Sequence, residues 1–346
     1  MSENDARPRM SGVALVGREG GRFALEEIVT APIGPTDVGV RTTWSGVSIG
    51  TEFAALTGKL DYGPFPITTG YMGVGIIEKV GSDVAGFGIG DRLYYGCNND
   101  LRTREGDEQI TCASGVHASV AVVDPLGPGM GGALVPDGVP DDVASMFVIP
   151  AVGLLGVDMA DVNVGASVVV IGAGMVGLSV VAAASARGAK VISVDLRQQP
   201  LEVARRLGAG HVINASTTDV GAEVRHLVGE AGADFVFEAT GHPSMIDPAI
   251  DLCRERGCFV WQGNYGKGQI SFEFLHAHVR RIRMVFPCGD GGRPFEEAVM
   301  ISLAHGWLSW EETITHRIDA ADAPALYRKI RADGAGDILG ATIHWS

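Results

Sequence analysis

The sequence predicts an α/β protein in which a doubly wound parallel sheet stands beside a β-rich module, and three observations carry that prediction. Residues 168–195 read VVVIGAGMVGLSVVAAASARGAKVISVD, a strand, a glycine turn, a helix and a second strand. Four more short apolar runs follow, at 211–214, 234–241, 258–263 and 284–287, separated by helix-length stretches. The chain before residue 150 is instead a series of short strand-like runs punctuated by Gly and Pro.

Within the first stretch each glycine has its own reason. Gly172 allows the tight turn, Gly174 lets a pyrophosphate approach the backbone, and Gly177 permits close packing of helix on strand. Met175 and Val176 lie between them, where the helix N-terminus offers N–H groups and a positive dipole end to phosphates. Asp195 closes the second strand eighteen residues beyond Gly177, where a carboxylate takes ribose hydroxyls. Strand, turn, helix and acid together predict a dinucleotide site. Residues 162–186 carry no charge over 25 positions, a length that would permit a membrane span. The regular glycines and the βαβ continuation favour a buried core segment, so no membrane association is expected.

Composition bounds the rest. At 346 residues with 46% apolar and 20% charged side chains, the chain suits two globular domains. A net charge of -14 argues against nucleic acid as a partner. The stretch MSENDARPRM has no apolar core for a secretory signal, so a cytoplasmic enzyme is the expectation. Five cysteines, odd in number and irregularly spaced, speak against a disulfide framework.

In chain order, residues 12–17, 23–29 and 38–50 read as strands around a Gly20-Gly21 turn and the Pro32 to Pro35 segment. Glycine-rich strands follow at 70–81 and 87–93. Residues 97–112 carry six charged side chains and read as an exposed polar loop; 115–123 returns to strand. After Asp195, helices are expected from Pro200 to Gly208, from Val220 to Glu230 and from Pro243, giving six strands with helices between them. The remainder carries a helix near 295–304, a strand ITHRI at 314–318, a helix near 321–330 and a last strand near Ala341.

Three stretches, SGVSIGTE at 45–52, GYMGVGIIEKVGSDVAGFGIGDRL at 70–93 and the fingerprint at 168–195, resemble the medium-chain dehydrogenase/reductase family in order and spacing. The resemblance covers essentially the whole chain. It implies a GroES-like, β-rich catalytic domain over 1–152, a Rossmann cofactor domain over 153–286, and a return to the catalytic domain over 287–346. It also implies a small-molecule substrate and a homo-oligomer, a dimer or tetramer.

The zinc enzymes of that family hold catalytic zinc on a Cys, on His and often Glu, and on a later Cys or Glu. By the resemblance those positions fall on Ile49, on Tyr71 and Met72, and on Ile149 and Pro150, none of them plausible zinc donors. The structural zinc lobe keeps only Cys97 and Cys112. No zinc is therefore expected, and hydrogen-bond donors must stabilise the alkoxide of a hydride transfer. Thr51 matches the family's proton-relay hydroxyl, and Tyr71 occupies a former zinc position; both are assigned as catalytic. Thr51 capping a helix and Tyr71 filling a void are the plainer alternatives. Ser48, Ile49, Tyr62 and Met72 are assigned to the substrate pocket. Glu52, His117 and His316 read as structural.

Asp195 favours NAD over NADP, although Arg197 could accept a 2′-phosphate. Thr240, Gly241, Gln262 and Gly263 follow the fourth and fifth strands, where the nicotinamide is expected. The leading expectation is a zinc-independent, NAD-dependent oxidoreductase interconverting a secondary alcohol and a ketone. The SIGTE turn and GY motif are similar to the branch containing the bacteriochlorophyllide dehydrogenases. ITHRI is shared with polyol and cyclitol dehydrogenases, so a natural-product or cyclic polyol substrate is expected. An NADPH-dependent quinone or enoyl reductase is the alternative, and a nucleotide-binding protein without catalysis is a third class.

Overall fold

The structure is a computed structural model that describes residues 7–98, 100–127 and 131–345. It divides into two compact units: the described residues up to Phe147 together with those from Ile314 onward, and Val148–Thr313. Residues 287–313, expected to return to the catalytic domain, thus remain with the cofactor domain. Helix Arg293–Ala304 packs on helix Val148–Met159, which itself begins the unit five residues earlier than expected.

The Val148–Thr313 unit holds a six-stranded parallel sheet in the order His211–Asn214, Lys190–Asp195, Ser167–Ile171, Ala233–Glu238, Cys253–Trp261, Arg283–Val285. These are the six strands read from the sequence. Val168, Val169 and Val170 are fully buried, because a parallel sheet covered on both faces has no solvent side and its strands read as unbroken apolar runs. The uncharged run is broken by the glycine turn into strand Ser167–Ile171 and helix Met175–Ala186. Leu178, Val180, Val181 and Ala184 of that helix are all buried, which accounts for its lack of a polar face. Among the described residues no helix is long and apolar enough to cross a membrane.

Gly177 sets how closely this helix meets the turn. A Cβ there would stand 1.8 Å from the Gly172 carbonyl oxygen, a backbone atom that cannot swing aside.

The other unit pairs a closed five-stranded barrel with a larger sheet. Around the barrel run Ser11–Arg18, Arg22–Thr30, Leu101–Thr103, Gln109–Cys112 and Ile67–Thr68. The sheet runs Gly132–Leu134, Arg92–Tyr95, Gly73–Val80, Val38–Val47, Gly340–His344, Ile314–Asp319, with Val120–Val123 also pairing onto Val38–Val47. The strand Gly340–His344 inserts beside Val38–Val47 in antiparallel register, so the end of the described chain completes the sheet begun near its start.

The polar loop expected at 97–112 is corrected by the structure. Leu101 and Ile110 face each other across a hairpin and are fully buried in the barrel core, while the charged residues occupy its turn and outer face. Two apolar residues suffice to anchor such a short hairpin. All five cysteines are free.

Gly177→Ala is expected to destabilise the Val148–Thr313 unit by about 1–3 kcal/mol or more, as overpacking against backbone does. A lower midpoint in denaturant unfolding followed by Trp fluorescence checks this; an unchanged midpoint would mean that the turn yields freely.

Candidate active site

In the cofactor unit the turn after strand Ser167–Ile171 is tied down by its neighbour: the Gly172 N–H donates to the Val194 carbonyl at 2.8 Å. Gly174 is the N-cap of helix Met175–Ala186, and no side chain caps it. The leading N–H groups of a helix have no partner within it, so those of Met175, Val176 and Gly177 are aimed outward beside Gly174. A Cβ on Gly174 would meet nothing within 4 Å, which leaves the approach to those N–H groups open. Asp195 accepts from the Ala173 N–H at 2.8 Å and the Arg197 N–H at 2.9 Å, one on each carboxylate oxygen. The Arg197 guanidinium stands 3.8 Å from the same carboxylate. Turn, uncapped helix and strand-end acid fit a dinucleotide, with Gly174 to Gly177 against the pyrophosphate and Asp195 toward the ribose.

At the ends of the fourth and fifth strands the expected residues are present but bound into the scaffold. Glu238, fully buried, accepts the Thr240 N–H at 2.8 Å, the Gly241 N–H at 3.1 Å, and the Thr240 and Tyr265 hydroxyls. Burial first, and the Glu238 contact second, push the Tyr265 hydroxyl well above its ordinary range. A Cβ on Gly263 would lie 2.4 Å from the Gly241 nitrogen, so these two turns touch through their backbones. Gln262 is buried; its Nε2 donates to the Val152 carbonyl at 3.3 Å and fastens helix Val148–Met159. The side chains of Thr240 and Gln262 are thus held by the protein itself. Glu238 is the organising residue here, and an acid inside an apolar strand was its one visible signal.

The other unit gathers three of the predicted side chains. Ser48 precedes helix Ile49–Leu56, Thr51 lies in its first turn, and Tyr71 sits just ahead of strand Gly73–Val80. The Tyr71 hydroxyl donates to Ser48 Oγ at 2.5 Å and lies 3.5 Å from Thr51 Oγ1. Burial raises the Tyr71 phenol above its usual range; contacts with Ser48 and Thr51 oppose that, and the charge of Glu52 adds to it. Tyr71 is therefore held as a protonated donor. Ile49 is half-buried in the same turn, and Tyr62 is 46% exposed. Met72 is fully buried, with its Cε beside Gly46 of strand Val38–Val47, so its side chain packs in the core where a substrate-facing position was expected. Nor does Thr51 cap the helix. The Ser48 N–H is taken by Glu52 Oε1 at 2.7 Å, closing the first turn from inside.

Glu52 is the residue whose importance sequence reasoning understated. Its other oxygen accepts Thr69 Oγ1 at 2.7 Å, His117 Nε2 at 3.0 Å and the Tyr327 hydroxyl. Burial alone would raise its carboxyl; the charge of His117 and the donors around it more than offset this and hold it below the ordinary range. His316, by contrast, is half-buried and bonded to its neighbour Thr315.

Residues 34–134 match the family described as alcohol dehydrogenase GroES-like domain, and residues 176–302 that described as zinc-binding dehydrogenase. An alcohol dehydrogenase of Cupriavidus necator is 30% identical over 344 residues, covering 91% of this chain and 93% of that protein. An L-threonine 3-dehydrogenase of Chelativorans sp. (strain BNC1) is 28% identical over 340 residues, covering 91% and 94%. A zinc-binding dehydrogenase of Sinorhizobium meliloti 1021, solved bound to NADP, superposes with a TM-score of 0.81 at 20% identity, covering 97% of this chain and 99% of that one. The chain belongs to the medium-chain dehydrogenase/reductase family, and it is an oxidoreductase.

The family implies zinc, and the donor set does not fit it. The hydroxyl cluster offers Ser48, Thr51 and Tyr71, Glu52 has both oxygens occupied, and Ile149 and Pro150 are buried in helix Val148–Met159. Among the described residues no group of three or more His, Cys, Asp or Glu could hold a metal ion.

Two outcomes follow. Gly174→Ala is expected to leave the unfolding midpoint unchanged while weakening dinucleotide binding roughly tenfold or more, since it fills the phosphate approach; titration with NAD and with NADP, followed by quenching of Trp fluorescence, reads this. Glu52→Gln is expected to cost on the order of 3 kcal/mol at pH 7, as for a broken buried pair. Because the folded carboxyl lies below its unfolded value, that advantage is present above the ordinary carboxylate range and is lost as pH falls through the folded value. Melting curves of both proteins from pH 7 to 3 should therefore converge on acidification.

Proposed function

We propose that the protein is a zinc-independent, NAD-dependent oxidoreductase that interconverts a secondary alcohol and a ketone, on a natural-product or cyclic polyol substrate. The observation that carries this reading is the contact of Tyr71 with Ser48 and Thr51, at the place where zinc relatives carry donors. Relatives named alcohol dehydrogenase and L-threonine 3-dehydrogenase support an alcohol as the substrate class. When bound, the nicotinamide takes or returns the hydride.

The chain's own residues handle binding and the proton. Gly174, Met175, Val176 and Gly177 receive the pyrophosphate, and Asp195 takes the ribose hydroxyls and disfavours a 2′-phosphate. Thr240, Gly241, Gln262 and Gly263 form the backbone edge facing the nicotinamide, with Glu238 bracing it. In ketone reduction Tyr71 gives its phenolic proton to the developing alkoxide and regains one through Ser48 or Thr51. In oxidation the alcohol proton passes to Tyr71 Oη as the phenol hands its own to Ser48, and Ser48 releases its original hydroxyl proton to water. Ser48 and Thr51 are thus the relay, while Ile49 and Tyr62 border the substrate.

Phe274, Leu275, Val279 and Phe286 are exposed beside the edge strand Arg283–Val285, which supports a second copy of this chain as partner. Five free cysteines suit a reducing, cytoplasmic setting.

The test is NAD reduction by chelator-treated protein with sorbitol, myo-inositol, 2,3-butanediol and L-threonine, with NADP alongside. Turnover with NAD is the expected outcome. Turnover only on restoring zinc would overturn zinc independence, and turnover only of enones or quinones with NADPH would favour a reductase of that class. Tyr71→Phe should lower kcat roughly 10²- to 10⁴-fold with NAD affinity intact, the usual scale of acid–base catalysis. Because burial holds the phenol above its usual range, the reduction rate should not fall from loss of this proton as pH rises toward the ordinary tyrosine range.

A further inference from the structure

We propose that His117 is a positioning residue that holds the turn bearing Tyr71 at a fixed distance from the helix bearing Ser48 and Thr51, an inference that rests on Tyr71 being the proton donor. His117 is fully buried between strands Gln109–Cys112 and Val120–Val123. Its backbone N–H donates to the Thr69 carbonyl at 3.0 Å, and that of Val116 donates to the Gly70 carbonyl at 3.0 Å. The segment leading into Tyr71 is therefore hydrogen-bonded to the segment that carries the imidazole. The ring also lies directly on that turn: a Cβ on Gly70 would stand 2.7–2.9 Å from three ring atoms, and Gly70 has a φ of +89°. No side chain fits between ring and turn.

The far side of the ring reaches the helix. Nε2 donates to Glu52 Oε2 at 3.0 Å, and Glu52 Oε1 accepts the N–H of Ser48, the residue whose Oγ receives the Tyr71 proton. Nδ1 lies 2.8 Å from Ser45 Oγ. The Trp345 indole N–H can only donate, and it does so to that oxygen at 2.8 Å. Ser45 thus accepts from Trp345 and shares its other hydrogen bond with Nδ1, which fixes the ring in rotation as well as in place. One imidazole spans from the Gly70 backbone to the carboxylate that closes the Ser48 turn. An apolar ring would fill the space but leave Glu52 one donor short in a buried site.

The experiment is a double-mutant cycle on the panel alcohol with the highest turnover. His117→Phe should lower kcat roughly ten- to a hundredfold, the scale of an ångström of misplacement, with KM for NAD within about twofold. His117→Gln, which keeps an N–H donor, should recover most of that loss. In the Tyr71→Phe background His117→Phe should cost nothing further. A wild-type kcat in His117→Phe, or an undiminished loss in the Tyr71→Phe background, overturns the proposal while leaving Tyr71 as donor. A Tyr71→Phe variant as fast as wild type overturns the donor reading itself. Should His117→Phe not fold, Ser45→Ala reads the same coupling through Nδ1, and its silence counts against the proposal. Tyrosine labelled at Cζ adds an NMR reading that needs no turnover: the Tyr71 signal, assigned by its loss in Tyr71→Phe, should move in His117→Phe and return in His117→Gln. An unmoved signal overturns the proposal.

Discussion

A single buried carboxylate organises the catalytic unit. Glu52 accepts hydrogen bonds from Ser48, Thr69, His117 and Tyr327, residues from four separate stretches of the chain. Removing a carboxylate from water is costly, and only a full set of donors offsets it. The cost makes the arrangement all-or-none: each segment must be in place before the charge is tolerable. Because the donors come from the helix, the turn before Tyr71, the barrel edge and the helix Ala323–Asp333, satisfying Glu52 amounts to assembling the site.

The same charge has an electrostatic consequence next door. Glu52 lies close enough to Tyr71 to add to the effect of burial, so the phenol keeps its proton where an exposed tyrosine would lose it more readily. A metal would stabilise an alkoxide by positive charge. In the proposed reading neutral hydroxyls take that part, and the nearby negative charge helps keep the phenol in its protonated form. The structural carboxylate and the chemical phenol form one electrostatic unit.

What the sequence made legible was local. The fingerprint from Gly172 to Asp195 is read because each glycine answers a constraint within a few residues of itself, and Gly177 against Gly172 is that constraint in plain form. The six parallel strands were visible because burial on both faces writes itself as unbroken apolar runs. The hairpin from Leu101 to Cys112 was not, since three and four residues are too few to display a period of two. Met72 was misassigned because alignment with a metal position says nothing about which way a neighbour packs. The partners of Glu52 were invisible for a deeper reason: Thr69, His117 and Tyr327 are brought together by topology, and no spacing rule relates them. Ser48, Thr51 and Tyr71 were singled out through the family's motif positions, and the contact among them needed the fold.

The order in which the chain is made bears on this. The unit from Val148 to Thr313 is continuous, whereas the unit bearing Glu52 is interrupted by it and takes Tyr327, Trp345 and the strand Gly340–His344 from beyond Ile314. During synthesis the nucleotide-binding half emerges whole and can fold as a unit. The half bearing the hydroxyls meanwhile waits with an unfilled place in its sheet and an incompletely satisfied acid at its centre. A chain cut off after Thr313 would thus keep every strand of the parallel sheet but lack the strand that sits beside Val38–Val47, and that exposed flank is where a chaperone or a stray strand would bind it.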